Sequence, residues 1–371
     1  MRPEDKILLA ATRQNFPLEY QQAVLAACQR SHIDWPALFL TAVNHGVEPL
    51  VYYNLKQISP AKLGVPPAVI DKFKQHMTHN VFVKDHMAEL LPDILSLFER
   101  YQVEVMLVKG AALDRLIYAR PWSTTSEDID LLLKPTRSEL EQIDGGAIIT
   151  ALKVINKQAD RLKLHIEYDC YAHHDLNMNG VLPIDFDRIW RDASAFNIGE
   201  HRVAIMAPED LLIGACVNCC RKRFFRLKAL CDIAEIISRL PALNWPLFIE
   251  KANSYQCDNI VYAALIVTRA TIGCDVPSIV LSELKTSRVR KFFIRMTARS
   301  LKRVCSLDTL SRYSGRKIFR RVFGLSLVLP YVTYRWDQVG RKAQELDRAW
   351  KQLAIGDEDG PNGSDRSQEI K

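Results

Sequence analysis

The sequence predicts an α+β fold, a small β-sheet set between helical segments at both ends of the chain, and three observations predict it. Residues 103–108 (Val-Glu-Val-Met-Leu-Val) are rich in β-branched and apolar side chains and are stopped by Lys109-Gly110, as a short buried strand is. Residues 128–133 (Asp-Ile-Asp-Leu-Leu-Leu), stopped by Lys134-Pro135, read as a second strand. On either side of this pair, residues 1–100 and most of the chain beyond 206 carry apolar side chains at the three-to-four spacing of helices.

Composition sets the bounds. The 371 residues suffice for two or three domains, and 48% hydrophobic with 25% charged residues is globular rather than disordered material. No window reaches the ~20 uninterrupted apolar residues a spanning helix requires. The start, Met1-Arg2-Pro3-Glu4-Asp5-Lys6, has no signal-peptide core. Nine cysteines, an odd number scattered along the chain, suit reduced thiols and a cytoplasmic location better than a disulfide framework. Cys216, Cys219 and Cys220 cluster without a second Cys or His pair at zinc spacing, so they read as small buried residues on a helix.

Four regions follow in order: an N-terminal helical region (1–100), a core (101–205), a C-terminal helical region (206–354) and a disordered tail (355–371) rich in Gly, Ser and acids. In the first, helical spacing runs over 5–9 and 18–31. Asp34 is placed to cap a helix opened by Trp35-Pro36. Pro66-Pro67 breaks the chain before a long helix from Ala68 to about Arg100. His32, His45, His76, His79 and His86 lie along these helices with no matching acids to specify a metal.

In the core, Ala111 to Tyr118 takes up helical spacing between the two strands. Thr136 and Glu139 form a capping-box pair for a helix that Gly145-Gly146 ends. Two more strands are expected, at 148–155 and 162–171. In the latter, His165, Glu167 and Asp169 alternate with Leu164, Ile166 and Tyr168 and so share one face. Residues 184–190 open a short helix, Pro208 starts a long one through Cys220, and helices continue from 245 to 273.

The charge is unevenly spread. Residues 285–321 hold thirteen Lys and Arg against Asp308 alone, a net +12 within a chain whose total is +7. Val289, Phe292, Phe293, Met296 and Leu301 give this segment an apolar side. Weak contact with an anionic membrane or a nucleic acid is the partnership this predicts, set against plain packing on the body. The apolar run at 322–331 is too short to span a bilayer and contains Pro330.

The chemistry concentrates at 103–134. Successive strand residues face opposite ways, so Asp128 and Asp130 project together while Ile129, Leu131 and Leu133 face a core. Two crowded carboxylates repel unless a cation sits between them, and such oxygen ligands suit Mg²⁺ with substrate phosphates. Gly110 permits close backbone approach, and the helix after it offers N–H groups to an anion.

The order strand, Gly-containing turn, helix, then strand with Asp-x-Asp resembles the nucleotidyltransferase superfamily of the DNA polymerase β type. Lys109-Gly110-Ala111-Ala112-Leu113, Tyr118 and Asp128-Ile129-Asp130-Leu131-Leu132 resemble more closely a bacterial branch of mostly uncharacterised nucleotidyltransferases. The resemblance covers roughly residues 45 to 255 and includes Asp232 as a landmark. It implies a small mixed sheet as the nucleotidyltransferase core. It further implies metal-dependent transfer of a nucleoside monophosphate from a nucleoside triphosphate to a hydroxyl of a protein, sugar, small molecule or RNA. Asp128, Asp130 and Glu167 would hold two Mg²⁺ ions, with Asp169 the second choice for the third acid. Lys109, Gly110 and Ala111 would hold the triphosphate. The chain departs from the pattern at Ala111 (usually Ser), Thr124 (usually Arg), the Glu167-Tyr168-Asp169-Cys170 stretch (usually Asp-Leu-His-Trp) and Asn218 (usually His). The departures at Ala111, at Thr124 and in the Glu167 strand favour the alternative, a catalytically inactive binding or scaffold protein of the same fold, and the intact Asp128/Asp130 pair opposes it.

Overall fold

The computed structural model describes residues 2–304 apart from 126–127, 161–163, 223, 225 and 241–242. The expected features at 305–331 and the 355–371 tail lie outside these residues. Helices α1 (Pro3–Ala11), α2 (Leu18–Arg30), α3 (Trp35–His45) and α4 (Glu48–Ile58) open the chain. The Asp34 side chain caps α3 by accepting from the Ala37 N–H, as its sequence position predicts. Next comes α5 (Pro67–Arg100), 34 residues and therefore about 50 Å long.

The sheet is built from β1 (Val105–Leu107), β2 (Asp128–Leu133), β3 (His165–Cys170), β4 (Ser194–Ile198) and β5 (His201–Ile205) in the order β3-β2-β1-β5-β4. It is mixed: β1 runs antiparallel to β2 and parallel to β5, β2 runs parallel to β3, and β4 and β5 form an antiparallel hairpin. Between the strands lie α6 (Lys109–Leu116), α7 (Arg137–Gln142), α8 (Ala147–Asp160) and α9 (Phe186–Asp192). The chain continues through α10 (Pro208–Arg221), α11 (Leu227–Arg239), α12 (Trp245–Ser254), α13 (Asp258–Thr271), α14 (Ser278–Glu283) and α15 (Arg288–Val304).

Strand alternation divides the interior into two cores. Ile129, Leu131 and Leu133 join Val105 and Leu107 in one, closed by the second half of α5 (Val83, Met87, Leu91, Ile94) and by α8. Met106 and Leu132, from the opposite face, join the other. That second core mixes Leu38 and Leu55 from the N-terminal helices with Ile213, Ile233 and Leu265 from the C-terminal ones. The first half of α5 is anchored there by Phe73, edge-on to Phe39 and stacked on Tyr52 at 4.9 and 5.7 Å. Helices that precede and follow the sheet thus share one core, and α5 ties it to the sheet.

Three findings correct or add to the expectations. The strand expected at 148–155 is part of helix α8; Ile148, Leu152 and Ala159 are fully buried at helical intervals, so the 3.6-residue period overrides the β-branched start. The β4–β5 hairpin, with Gly199 at φ +58° in its two-residue turn, was not expected at all. Third, α15 packs through Ile294 and Ala298, whereas Val289, Phe292, Phe293 and Met296 stand exposed among the described residues. Elsewhere the expected elements are present, including the capping box of Thr136 and Glu139 on α7 and the buried Cys216, Cys219 and Cys220 on α10.

Candidate active site

The parallel register of β2 with β3 decides which acids meet. Asp130 pairs with Glu167, Asp128 with His165, and Leu132 with Asp169. Paired residues on neighbouring strands share a face, so Asp128, Asp130 and Glu167 project from one side of the sheet above the buried Leu132. The Asp130 side chain is 6% exposed and that of Glu167 58%, so one acid lies at the floor and the other at the rim. Asp169 is engaged elsewhere: it accepts a 2.7 Å hydrogen bond from the buried His173. Burial opposes its charge, but His173 outweighs that and holds its pKa below the usual carboxylate value.

Lys109 faces these acids from the turn between β1 and α6. Its backbone is left-handed (φ +48°), which an L-residue other than Asn or Asp seldom adopts. The sequence marks Gly110 for close backbone approach, and the positive φ of the turn falls on its neighbour Lys109. The ammonium lies 2.6 Å from Asp130, 3.4 Å from Glu167 and 2.9 Å from Asp175. Asp175, in the loop after β3, is itself 2.6 Å from Arg221 at the end of α10. Burial works against the Lys109 charge, but Asp130 and Asp175 outweigh it and raise its pKa above the ordinary lysine value. Burial and the neighbouring charges of Glu167 and Asp128 push Asp130 up to about 6, against the pull of Lys109.

Behind this corner two polar clamps fix its elements. Lys84 of α5 and Asp114 of α6 form a buried 2.6 Å ion pair, and the Thr124 hydroxyl donates to the second oxygen of Asp114 at 2.6 Å. The Asn80 amide donates to the carbonyls of Trp122 and Thr124, tying α5 to the approach to β2. On the other side, Asp232 of α11 accepts from the Tyr118 hydroxyl at 2.6 Å and pairs with Lys228 at 3.0 Å. Gly46 closes α3 at φ +65°, and a Cβ there would stand 2.8 Å from the Thr125 hydroxyl, so only glycine fits.

The acids open into a cleft of about 890 Å³ between the sheet, the N-terminal helices and α10–α11. Its charges are divided. Asp128, Asp130 and Glu167 form an acidic corner, while Arg221, Lys222, Arg226 and Lys228 line a basic arc around the α10–α11 turn, and His76 and His79 line the α5 wall. Burial, then His79, depresses the pKa of His76 below the usual imidazole value. Four cations from one turn of chain face a cleft where a polyanion can be received.

The acidic corner fits a divalent cation on its donor chemistry. Asp130 and Glu167 are hard oxygen donors on adjacent strands and already share one cation, the Lys109 ammonium. As the side chains stand, no three His, Cys, Asp or Glu groups among the described residues converge as a metal-ligand set, and Lys109 occupies the middle.

Of the residues singled out in the sequence, Asp128, Asp130, Glu167, Lys109 and Gly110 all line the cleft. Ala111 does not; its side chain is 1% exposed and its carbonyl accepts from Arg115. Asp175, Arg221, Lys222, His76 and His79 were not selected from sequence. The positions of Arg226 and Lys228, six and four residues before Asp232, were the one signal for the arc. The sequence profile of a family described as uncharacterised nucleotidyltransferase matches residues 31–273. No curated protein and no solved structure matches the chain.

Proposed function

The chain belongs to the uncharacterised nucleotidyltransferase family, and on that footing we propose that it moves a nucleoside monophosphate from a nucleoside triphosphate to an acceptor hydroxyl. The observation that carries this reading is the division of one cleft into an acidic corner on β2 and β3 and a basic arc on α10 and α11. A triphosphate needs both: cations along its β- and γ-phosphates, and a charged centre where its α-phosphate reacts. The β1–α6–β2 unit with Asp128 and Asp130 supports placing the chain in the DNA polymerase β-type superfamily.

Asp128, Asp130 and Glu167 would hold two Mg²⁺ ions, which when bound would stabilise the entering and leaving oxygens of an in-line displacement. The acceptor oxygen bonds to the α-phosphorus, the bond from that phosphorus to the α–β bridging oxygen breaks, and pyrophosphate leaves with the electron pair. Glu167, exposed at the rim, takes up the hydroxyl proton. Arg221, Lys222, Arg226 and Lys228 neutralise the pyrophosphate as its charge grows. The α6 N-terminus, which no side chain caps, points its peptide dipoles to the same phosphates.

The test is thermal. Mg²⁺ with a nucleoside triphosphate raises the melting temperature of the wild type, since a ligand at a hundredfold excess over its Kd stabilises by about 2.7 kcal/mol. The double variant Asp128→Asn/Asp130→Asn keeps the fold and loses the rise. An equal rise in that variant rejects the acidic corner as the metal site.

A further inference from the structure

We propose that the Lys109 side chain has two seats: it is the resident counter-cation of the acidic corner in the free protein, and it moves to the phosphate side of the cleft when a divalent ion enters. This rests on the reading of Asp130 and Glu167 as metal ligands and adds which cation the acids hold in the free protein and what metal uptake must displace.

Three observations carry it. First, one ammonium is held by carboxylates from three separate elements, Asp130 of β2, Glu167 of β3 and Asp175 of the following loop, at 2.6, 3.4 and 2.9 Å. A cation ligated by Asp130 and Glu167 cannot share that seat with the ammonium, because the two positive charges would lie at contact distance. Second, Asp175 spans from Lys109 to Arg221, the first residue of the basic arc. Turning about Asp175, the ammonium can leave Asp130 and reach the side where the arc receives phosphates without losing its third partner. Third, the left-handed backbone of Lys109 is a strained conformation that persists only where surrounding contacts impose it. That strain aims the side chain at the acids from the turn.

The consequence is coupling. Without nucleotide, Lys109 competes with the metal; with nucleotide, the phosphates offer Lys109 a second anion and the corner is freed. Metal and triphosphate therefore favour each other's binding, by the same factor in both directions.

The experiment is a Mn²⁺ titration of the full chain without nucleotide, read as free Mn²⁺ by electron paramagnetic resonance. The wild type is compared with Lys109→Met, Lys109→Gly, Asp130→Asn and Lys109→Met/Asp130→Asn. Lys109→Gly suits the positive φ without strain, so it guards against a folding defect in Lys109→Met, and melting curves accompany each titration. The expected result is Mn²⁺ bound about tenfold or more tightly by both Lys109 variants than by the wild type, with the gain lost in the Lys109→Met/Asp130→Asn protein. If both Lys109 variants bind no more tightly than the wild type while Asp130→Asn removes binding, the two-seat inference falls and the metal site stands. If no form binds Mn²⁺, both fall.

Discussion

The Lys109 ammonium lies 2.6 Å from the Asp130 carboxylate, yet Asp130 titrates high, at about 6. Burial and the Glu167 and Asp128 charges outweigh the ion pair, so the corner is short of positive charge even with Lys109 in place. In EDTA, carboxyl NMR of the wild type should show one Asp titrating near 6 that is missing in Asp130→Asn. In Lys109→Met it should titrate higher still, because the Lys109 charge that lowers it is gone.

The same shift has a sign in stability. The folded-state pKa lies above the ordinary 3.8, so the native protein holds this proton more tightly than the unfolded chain. The contribution of Asp130 to stability is therefore largest below about pH 4 and is lost as pH rises through 6. Measured in EDTA by urea unfolding, the stability of wild type relative to Asp130→Asn should fall over that window. A relative stability that rises with pH would contradict the burial argument.

Where the third acid lies is a question of register. Asp130 stands beside Glu167, and Asp169 stands beside the buried Leu132 with His173 as its partner. Glu167→Gln should abolish transfer while nucleotide-dependent stabilisation persists. Asp169→Asn should leave transfer largely intact and lower stability by about 1–3 kcal/mol, the cost of a lost hydrogen bond to a charged group.

The Lys84–Asp114 pair is buried on both sides, and Thr124 donates to it. Removing one member leaves a charge unpaired, so Lys84→Met should cost about 3–5 kcal/mol. Thr124→Val should cost about 1–2 kcal/mol. Lys84→Met/Asp114→Leu should cost less than Lys84→Met alone, as chemical denaturation would show. Thr124 thereby has a structural role in this chain.

The part of the site legible in the sequence was the part built locally. Strand, turn, helix and strand from 103 to 134 are contiguous, and alternation alone placed Asp128 and Asp130 on one face. The same alternation set Glu167 on one face with His165 and Asp169, the resemblance put Glu167 ahead of Asp169, and the register that places it beside Asp130 is seen only in the fold. Asp175 and Arg221 were not, because their meeting with Lys109 depends on how a loop and a distant helix fold back over the sheet. The Ile148-Ile149-Thr150 start of α8 read as strand because β-branched residues crowd there, and only the burial of Ile148, Leu152 and Ala159 reveals the helical period. The β4–β5 hairpin stayed hidden because its strands are half-exposed and short.

The basic arc makes a separable claim. Lys222→Ala/Arg226→Ala should raise the Kd for a nucleoside triphosphate about tenfold or more without changing Mn²⁺ affinity in its absence, and the wild-type Kd should weaken with salt. Titration calorimetry at two ionic strengths checks both.

The most direct measurement follows the phosphate itself. The protein, Mg²⁺ and a cell lysate are incubated with nucleoside triphosphate labelled either at the α- or at the γ-phosphate, beside Asp128→Asn/Asp130→Asn. Nucleotidyl transfer predicts a macromolecule or metabolite that gains the α-label and not the γ-label, with pyrophosphate released, and no labelling by the double variant. Transfer of the γ-label, or α-labelling undiminished in the double variant, would contradict it.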